Sequence, residues 1–387
     1  MTTGSVSTRS VRRTLRTAVL GISVASLVAL PIGPAAAADD SGSAGSASGS
    51  LGSVVGSVGG SSDGGSVTAG STIPGPLQNE HPPLPALRDD ITVAAIVGEE
   101  EKSDQLVRFT VASPAMRRDI GVEVLLPKDN SVPRPSIYAL EGVDASEDTS
   151  GWVSIGGAPQ FFADKNVNVV MINGGVSGMY TDWDRIDPSV GLHKWETFIT
   201  KELPPLLDAR LKTNGVKSLL GASMGAQGAM MLAHRYPEMY RGIAVFSGCY
   251  STTNDVGRLS VQATVSSRGG DPANLWGKVG GPQWAEHDSV RNAEALRGKD
   301  IYVSVASGLP GRYETPDIAN YAERVVVGGS IEAAADVCTR KLQSELKELQ
   351  IPATFDFEPT GTHAWAYWVD QLPKAWPTLA RSLGLPA

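Results

Sequence analysis

Gly221-Ala222-Ser223-Met224-Gly225 follows an apolar run, 216–220, and precedes a helix-like stretch, 226–235. A serine hydroxyl is a poor nucleophile until a fold holds it on a sharp turn, in reach of a histidine and beside free backbone N–H groups. A strand, a tight turn and a helix supply that setting, and glycines two positions either side of the serine let the turn close without clashes. The spacing alone is a weak signal in a chain with 43 glycines, and Gly60, Ser62 and Gly64 repeat it in low-complexity sequence with no strand before them. Context selects Ser223 as the candidate nucleophile.

Outward from this pentapeptide, apolar runs of strand length alternate with amphipathic stretches. Strands are expected at 122–126, 136–140, 167–172, 216–220, 243–246, 301–306 and 353–357. The main helices are expected at 195–211, 226–235, 331–349 and 365–383, with Pro204, Pro205, Pro373 and Pro377 as breaks or kinks. Near-continuous apolar strands imply burial on both faces. The alternation implies a mostly parallel central sheet flanked by helices, the layout of an α/β-hydrolase.

In that layout a histidine base arrives on a loop after the last strand, where His363 lies in Gly361-Thr362-His363-Ala364-Trp365. Of the other histidines, His81 is in a proline-rich segment, His193 begins a helix before the serine, His234 closes the helix after it and His287 precedes the penultimate strand. The acid that orients His363 should come between the last two strands, where Glu314, Asp317 and Glu332 compete. Position alone does not decide among them. Glu332 follows Gly328-Gly329-Ser330 at a helix opening, where a carboxylate also has a dipole role to play. The oxyanion formed by attack of Ser223 on an ester needs two donors, and the backbone N–H groups of Met224 and Val143 are the candidates.

The 387 residues and 41% hydrophobic content can supply a large core, but not all of the chain reads as folded. Residues 1–38 carry Arg9, Arg12, Arg13 and Arg16, then an apolar stretch, then Ala36-Ala37-Ala38, the form of a secretory signal peptide. Residues 39–85 are a Ser/Gly-rich and then Pro-rich linker, and 86–387 a single catalytic domain. Losing the signal removes four arginines and no acid, taking the formal charge from −8 to −12. Such a surface repels phosphate backbones, which argues against nucleic acid as a partner. No run after the signal is long and apolar enough to span a bilayer. An exported chain with two cysteines, Cys249 and Cys338, is expected to pair them, closing a loop worth roughly 4–5 kcal/mol in the chain-entropy account. No metal-ligand spacing, nucleotide loop or dinucleotide fingerprint appears, and a serine with its own base needs no cofactor.

Several of these motifs occur together in one known family. Leu140-Glu141-Gly142, Ser150-Gly151-Trp152, Tyr180-Thr181-Asp182-Trp183, Gly221-Ala222-Ser223-Met224, Asn274-Leu275-Trp276-Gly277 and the run from Gly361 to Trp368 occur in this order. Across most of 105–380 the chain resembles the antigen 85 type mycolyltransferases of bacteria with mycolic-acid outer membranes, and looks most like a corynebacterial-type member. The resemblance implies transfer of a mycolyl group between trehalose monomycolates, giving the dimycolate, or onto other envelope hydroxyls of glycans or proteins, through an acyl-serine. It also implies a secreted, envelope-associated enzyme working at the mycolate outer membrane.

The family uses a Ser-Glu-His triad whose acid lies about thirty residues before the histidine, which favours Glu332 here. The resemblance adds Glu141, Asp144, Ser150 and Trp365 as sugar-contacting positions, with departures. A family aspartate is replaced by Glu141, a family arginine by Asp144 and a family asparagine by Ser150. The chemistry is untouched by these changes, whereas the acceptor is open to change. A secreted carboxylesterase or lipase, and a non-catalytic carbohydrate-binding relative, are the competing expectations.

Overall fold

The computed structural model describes residues 84–387, so the expected signal peptide, nearly all of the linker and the second Gly-x-Ser-x-Gly copy lie outside the described residues. Nine strands form one sheet in the order β1-β2-β3-β5-β4-β6-β7-β8-β9. They are β1 Ala95–Glu101, β2 Leu106–Ser113, β3 Arg118–Leu125, β4 Ser136–Leu140, β5 Asn168–Ile172, β6 Lys217–Ala222, β7 Gly242–Phe246, β8 Asp300–Ala306 and β9 Thr354–Glu358. From β5 to β9 in that order every pairing is parallel, whereas β1, β2 and β3 extend the sheet antiparallel. All seven expected strands are present within a few residues of their expected limits; β3 starts four residues early.

Alternation within the central strands divides the core between the two faces of the sheet. Tyr138, Leu140, Leu219, Ile243 and Val245 join one buried cluster, which also holds Trp195, Met230 and Met231. Ile137, Ala139, Leu220, Ala222, Ala244 and Phe246 point the other way, into a cluster with Trp152, Trp368, Leu372 and Leu379. Both faces are therefore covered, the physical reason the strands are apolar throughout.

The helices that matter for the site are α1 Gly151–Ser154, α2 Leu203–Leu211, α3 Met224–Arg235, α4 Asp255–Ser266, α5 Gly329–Glu348 and α6 Trp365–Leu383. Pro204 and Pro205 lie in one continuous helical run from Trp195 to Leu211, at the start of α2 and directly after a π-helical turn at Phe198–Glu202, so the irregular turn falls where two N–H groups are missing. Pro373 and Pro377 fall inside α6, which continues through both rather than breaking. Its apolar face packs Leu372, Ala375, Leu379 and Leu383 onto the sheet, and that burial outweighs the lost backbone bonds. A second π-helical turn, Arg324–Gly328, feeds α5. Cys249, beyond the end of β7, is bonded to Cys338 on α5 with the Cα atoms 4.9 Å apart.

Candidate active site

Register brings the site to the C-terminal edge of the parallel strands. Leu140 pairs with Gly221, Ala222 with Phe246, and Phe246 with Ser304, so the residues following β4, β6, β7 and β8 meet along one line. In open α/β sheets this edge is where ligands bind.

Ser223 sits between β6 and α3 with φ 55° and ψ −121°, a conformation that side chains avoid and tight packing must enforce. The two glycines explain how. A Cβ at Gly221 would lie 2.3 Å from the carbonyl oxygen of Gly225, and one at Gly225 the same distance from that of Leu140. Only glycine allows the helix to approach the strands this closely. The strain itself is carried by Ser223, not by the glycines.

His363 lies in the loop between β9 and α6. Ser223 Oγ is 2.7 Å from His363 Nε2, and His363 Nδ1 is 2.7 Å from Glu332 Oε2. A proton on Nδ1 facing the carboxylate leaves Nε2 to accept from the serine hydroxyl. The loop is pinned by the His363 N–H donating to Gly328 O at 3.1 Å, so the segment leading into α5 holds both residues. Glu332 is 1% exposed, and its Oε1 accepts from Ser247 Oγ and from Ala306 N, each at 2.7 Å.

The other two acids compete no longer on geometry. Asp317 is exposed on its loop. Glu314 is buried but accepts from Thr362 Oγ1 at 2.9 Å, Gly311 N at 2.9 Å and Tyr367 Oη at 2.5 Å, so it fastens the histidine loop without touching the ring. Three other histidines are buried in structural settings. His193 accepts from Trp195 Nε1, and burial with the nearby Arg118 charge pushes it down to about 3. His234 bonds Ser289 and Glu286, and His287 stacks on Trp276. His81 lies outside the described residues.

The loop after β4 runs beside the serine. A Cβ on Gly142 would be 3.7 Å from Ser223 Cβ, so the loop that carries Val143 passes the serine at Gly142. Met224 is the first residue of α3, so its N–H has no intrahelical carbonyl to bond. The loop is fastened along its length. Tyr180 Oη accepts from Glu141 N at 2.9 Å, Val143 O accepts from Ser177 N at 3.0 Å, and Asp144 accepts from Arg268 Nε at 2.7 Å.

Among the positions expected to contact a sugar, Glu141 and Trp365 converge: a Cβ on Gly151 would lie 2.6 Å from both Glu141 Oε2 and the Trp365 ring. Glu141 is buried, takes one bond from Gly151 N at 2.6 Å, and has no partner for Oε1. Burial pushes its carboxyl up to about 7, opposed by the Gly151 N–H and the Ser150 hydroxyl and helped by the charges of Glu123 and Asp144. Asp144 is exposed and paired with Arg268. Ser150 is fully buried; its Oγ caps α1 by accepting from Trp152 N, and its own N–H donates to Glu123.

Sequence reasoning passed over Ser247 and Arg268. Neither carries a local motif; each matters through a neighbour more than eighty residues away.

The geometry agrees with what the chain is similar to. A family model described as "Putative esterase" matches residues 113–379. The diacylglycerol acyltransferase/mycolyltransferase Ag85A of Mycobacterium tuberculosis H37Rv is 31% identical over 285 residues, covering 71% of this chain and 80% of that protein. Ag85B of Mycobacterium intracellulare is 30% identical over 288 residues, with 71% and 82% covered. Among solved structures, Mycobacterium tuberculosis MPT51 (FbpC1) superposes with a TM-score of 0.59 at 26% identity, covering 70% of this chain and 96% of that one. An S-formylglutathione hydrolase from Agrobacterium tumefaciens, at 15% identity and TM-score 0.53, shares the fold. The chain belongs to this esterase family of α/β-hydrolase fold, as a relative of the antigen 85 type mycolyltransferases.

Proposed function

We propose that this protein is a mycolyltransferase that forms an acyl-enzyme on Ser223 and passes the acyl group to trehalose monomycolate or another envelope hydroxyl. The observation that carries the reading is the unbroken chain from Ser223 Oγ through His363 to Glu332, with both links at 2.7 Å. In this mechanism His363 Nε2 takes the serine proton as Oγ attacks the donor ester carbonyl. Glu332 holds the ring and stabilises the imidazolium. The oxyanion is met by the N–H groups of Met224 and Val143, a contribution of about 3 kcal/mol for each donor. As the ester C–O bond breaks, His363 returns the proton to the departing sugar oxygen, which leaves as a hydroxyl. The second half runs the same steps in reverse with the acceptor hydroxyl deprotonated by His363 and the acyl group leaving Ser223.

The family relatives that carry mycolyltransferase in their names support the acyl group, and the convergence of Trp365 and Glu141 at Gly151 supports a sugar-sized acceptor. An exported protein with a disulfide, acting at the mycolate envelope, fits this reading. Incubating the protein and its Ser223→Ala variant with trehalose monomycolate, and resolving the products by mass, tests it. Trehalose dimycolate from the wild type alone is the expected result. Free mycolic acid alone would replace transfer by hydrolysis, and dimycolate from both proteins would remove Ser223 as the nucleophile.

A further inference from the structure

Ser247 is the first residue after β7, next to the nucleophile's turn in the sheet, because Ser223 N donates to Phe246 O at 2.9 Å and Ser247 N to Ser304 O at 2.8 Å. It has φ 55°, the left-handed region in which glycine is unstrained and serine is not. It is 4% exposed, so its hydroxyl needs partners inside the protein. Trp368 Nε1, which can only donate, donates to Ser247 Oγ at 2.9 Å. The single hydroxyl proton is thereby directed to Glu332 Oε1, 2.7 Å away.

We propose that Ser247 is a positioning residue for acyl transfer at Ser223: its hydroxyl, aimed by Trp368, fixes the Glu332 carboxylate so that the opposite oxygen faces His363 Nδ1. The assignment rests on reading Ser223, His363 and Glu332 as the triad. Ala306 N is the second donor to the same oxygen, so Oε1 is saturated and Oε2 is left for the histidine. Trp368 meets both ends of the relay, since its ring packs edge-on against His363 with centroids 5.0 Å apart. The same loop is tied covalently to the same helix, because Cys249 is bonded to Cys338 on α5. A backbone conformation that favours glycine, occupied instead by a serine whose hydroxyl bonds the triad acid and a residue packed on the base, is strain kept for a hydroxyl.

The test is a double-mutant cycle in the full-length protein with p-nitrophenyl butyrate as the acyl donor, using Ser247→Gly, Glu332→Ala and the pair. Ser247→Gly should lower kcat about tenfold, as loss of a hydrogen bond to a charged group implies, with KM within about twofold. Its denaturation midpoint should stay level or rise, because glycine relaxes the backbone. In the Glu332→Ala background the same change should cost less than about twofold, since nothing remains to be positioned. A kcat within twofold of wild type, or a tenfold loss in both backgrounds, would overturn the assignment. Ser247→Ala, which keeps the wild-type backbone preference, runs the same cycle should the glycine variant not fold. Equal turnover by wild type and Ser223→Ala would instead remove the triad reading, and the Ser247 assignment with it.

Discussion

Two buried glutamates flank Ser223, and they are treated in opposite ways. Glu332, 1% exposed, is met by three donors, from Ser247, Ala306 and His363. Glu141, 4% exposed, takes one well-formed bond, from Gly151 N, has only the Ser150 hydroxyl besides and an oxygen with no partner, and burial drives its carboxyl up to about 7. Equal burial therefore does not mean equal hydrogen-bond supply, and a buried carboxylate is tolerated as an anion only where donors meet it. An anion beside His363 can orient and stabilise an imidazolium. A carboxyl that titrates near neutrality, beside Trp365, can both donate to and accept from a hydroxyl brought next to the serine.

The contrast can be broken by substitution. Ser223→Ala or His363→Ala should lower kcat/KM for a p-nitrophenyl ester by roughly 10⁴- to 10⁶-fold with the fold retained, as circular dichroism would check. Glu332→Gln should cost less, on the order of 10³-fold, because the acid orients rather than reacts. Glu314→Gln and Asp317→Asn should stay within about tenfold, since a residue that positions a loop acts at one remove. A larger loss in either of those than in Glu332→Gln would reassign the acid.

For Glu141 the expected effect lies in stability and its pH dependence. The folded-state value is raised from the ordinary 4.5 to about 7, so the folded protein holds this proton more tightly than the unfolded chain does. Stability from this group is therefore full below about pH 4.5 and is lost as pH rises towards 7 and beyond. Glutamine cannot ionise, so Glu141→Gln should gain about 2–3 kcal/mol relative to wild type between pH 5 and pH 8 in chemical denaturation. A difference that does not change with pH would show that burial does not hold the Glu141 carboxyl protonated.

The smallest effect is expected at Arg268, whose partner Asp144 is exposed. Arg268→Ala should change ester turnover by less than about threefold, in keeping with the modest strength of an exposed ion pair. It should also move the Glu141-linked transition to higher pH, because the Asp144 charge that disfavours ionisation of Glu141 loses its counter-ion. A shift to lower pH would contradict that coupling.

Much of this was legible in the chain. The seven expected strands, the serine's turn and the histidine loop all depend on short-range patterning, and each was found where alternation and turn residues put it. The two strands at the antiparallel edge were missed. Ala95–Glu101 carries three consecutive glutamates and is half-exposed, so it lacks the apolar run used to recognise its neighbours. The helix Asp255–Ser266 was missed for the opposite reason: only Gly257, Val261 and Val265 of it are buried, a stripe too sparse to stand out. Ser150 illustrates a third limit, because alignment with a family position carries no information on which way a side chain points. Here the hydroxyl caps a helix.

By itself the sequence determined the class of sheet, the strand-turn-helix around Ser223, the loop that carries His363 and the cysteine pair, because each is written in local periodicity, turn chemistry or count. The contact of Glu332 rather than Glu314 with the His363 ring, the strained serine at 247, the Arg268 partner of Asp144 and the contrast between two buried glutamates are visible only in the tertiary structure. Apart from the Glu141–Gly151 bond, ten positions apart, each depends on strand register and helix docking that bring together residues 26 to 124 positions apart. Hydrogen-bond supply at a buried carboxylate is a property of those meetings, and no stretch of chain carries it alone.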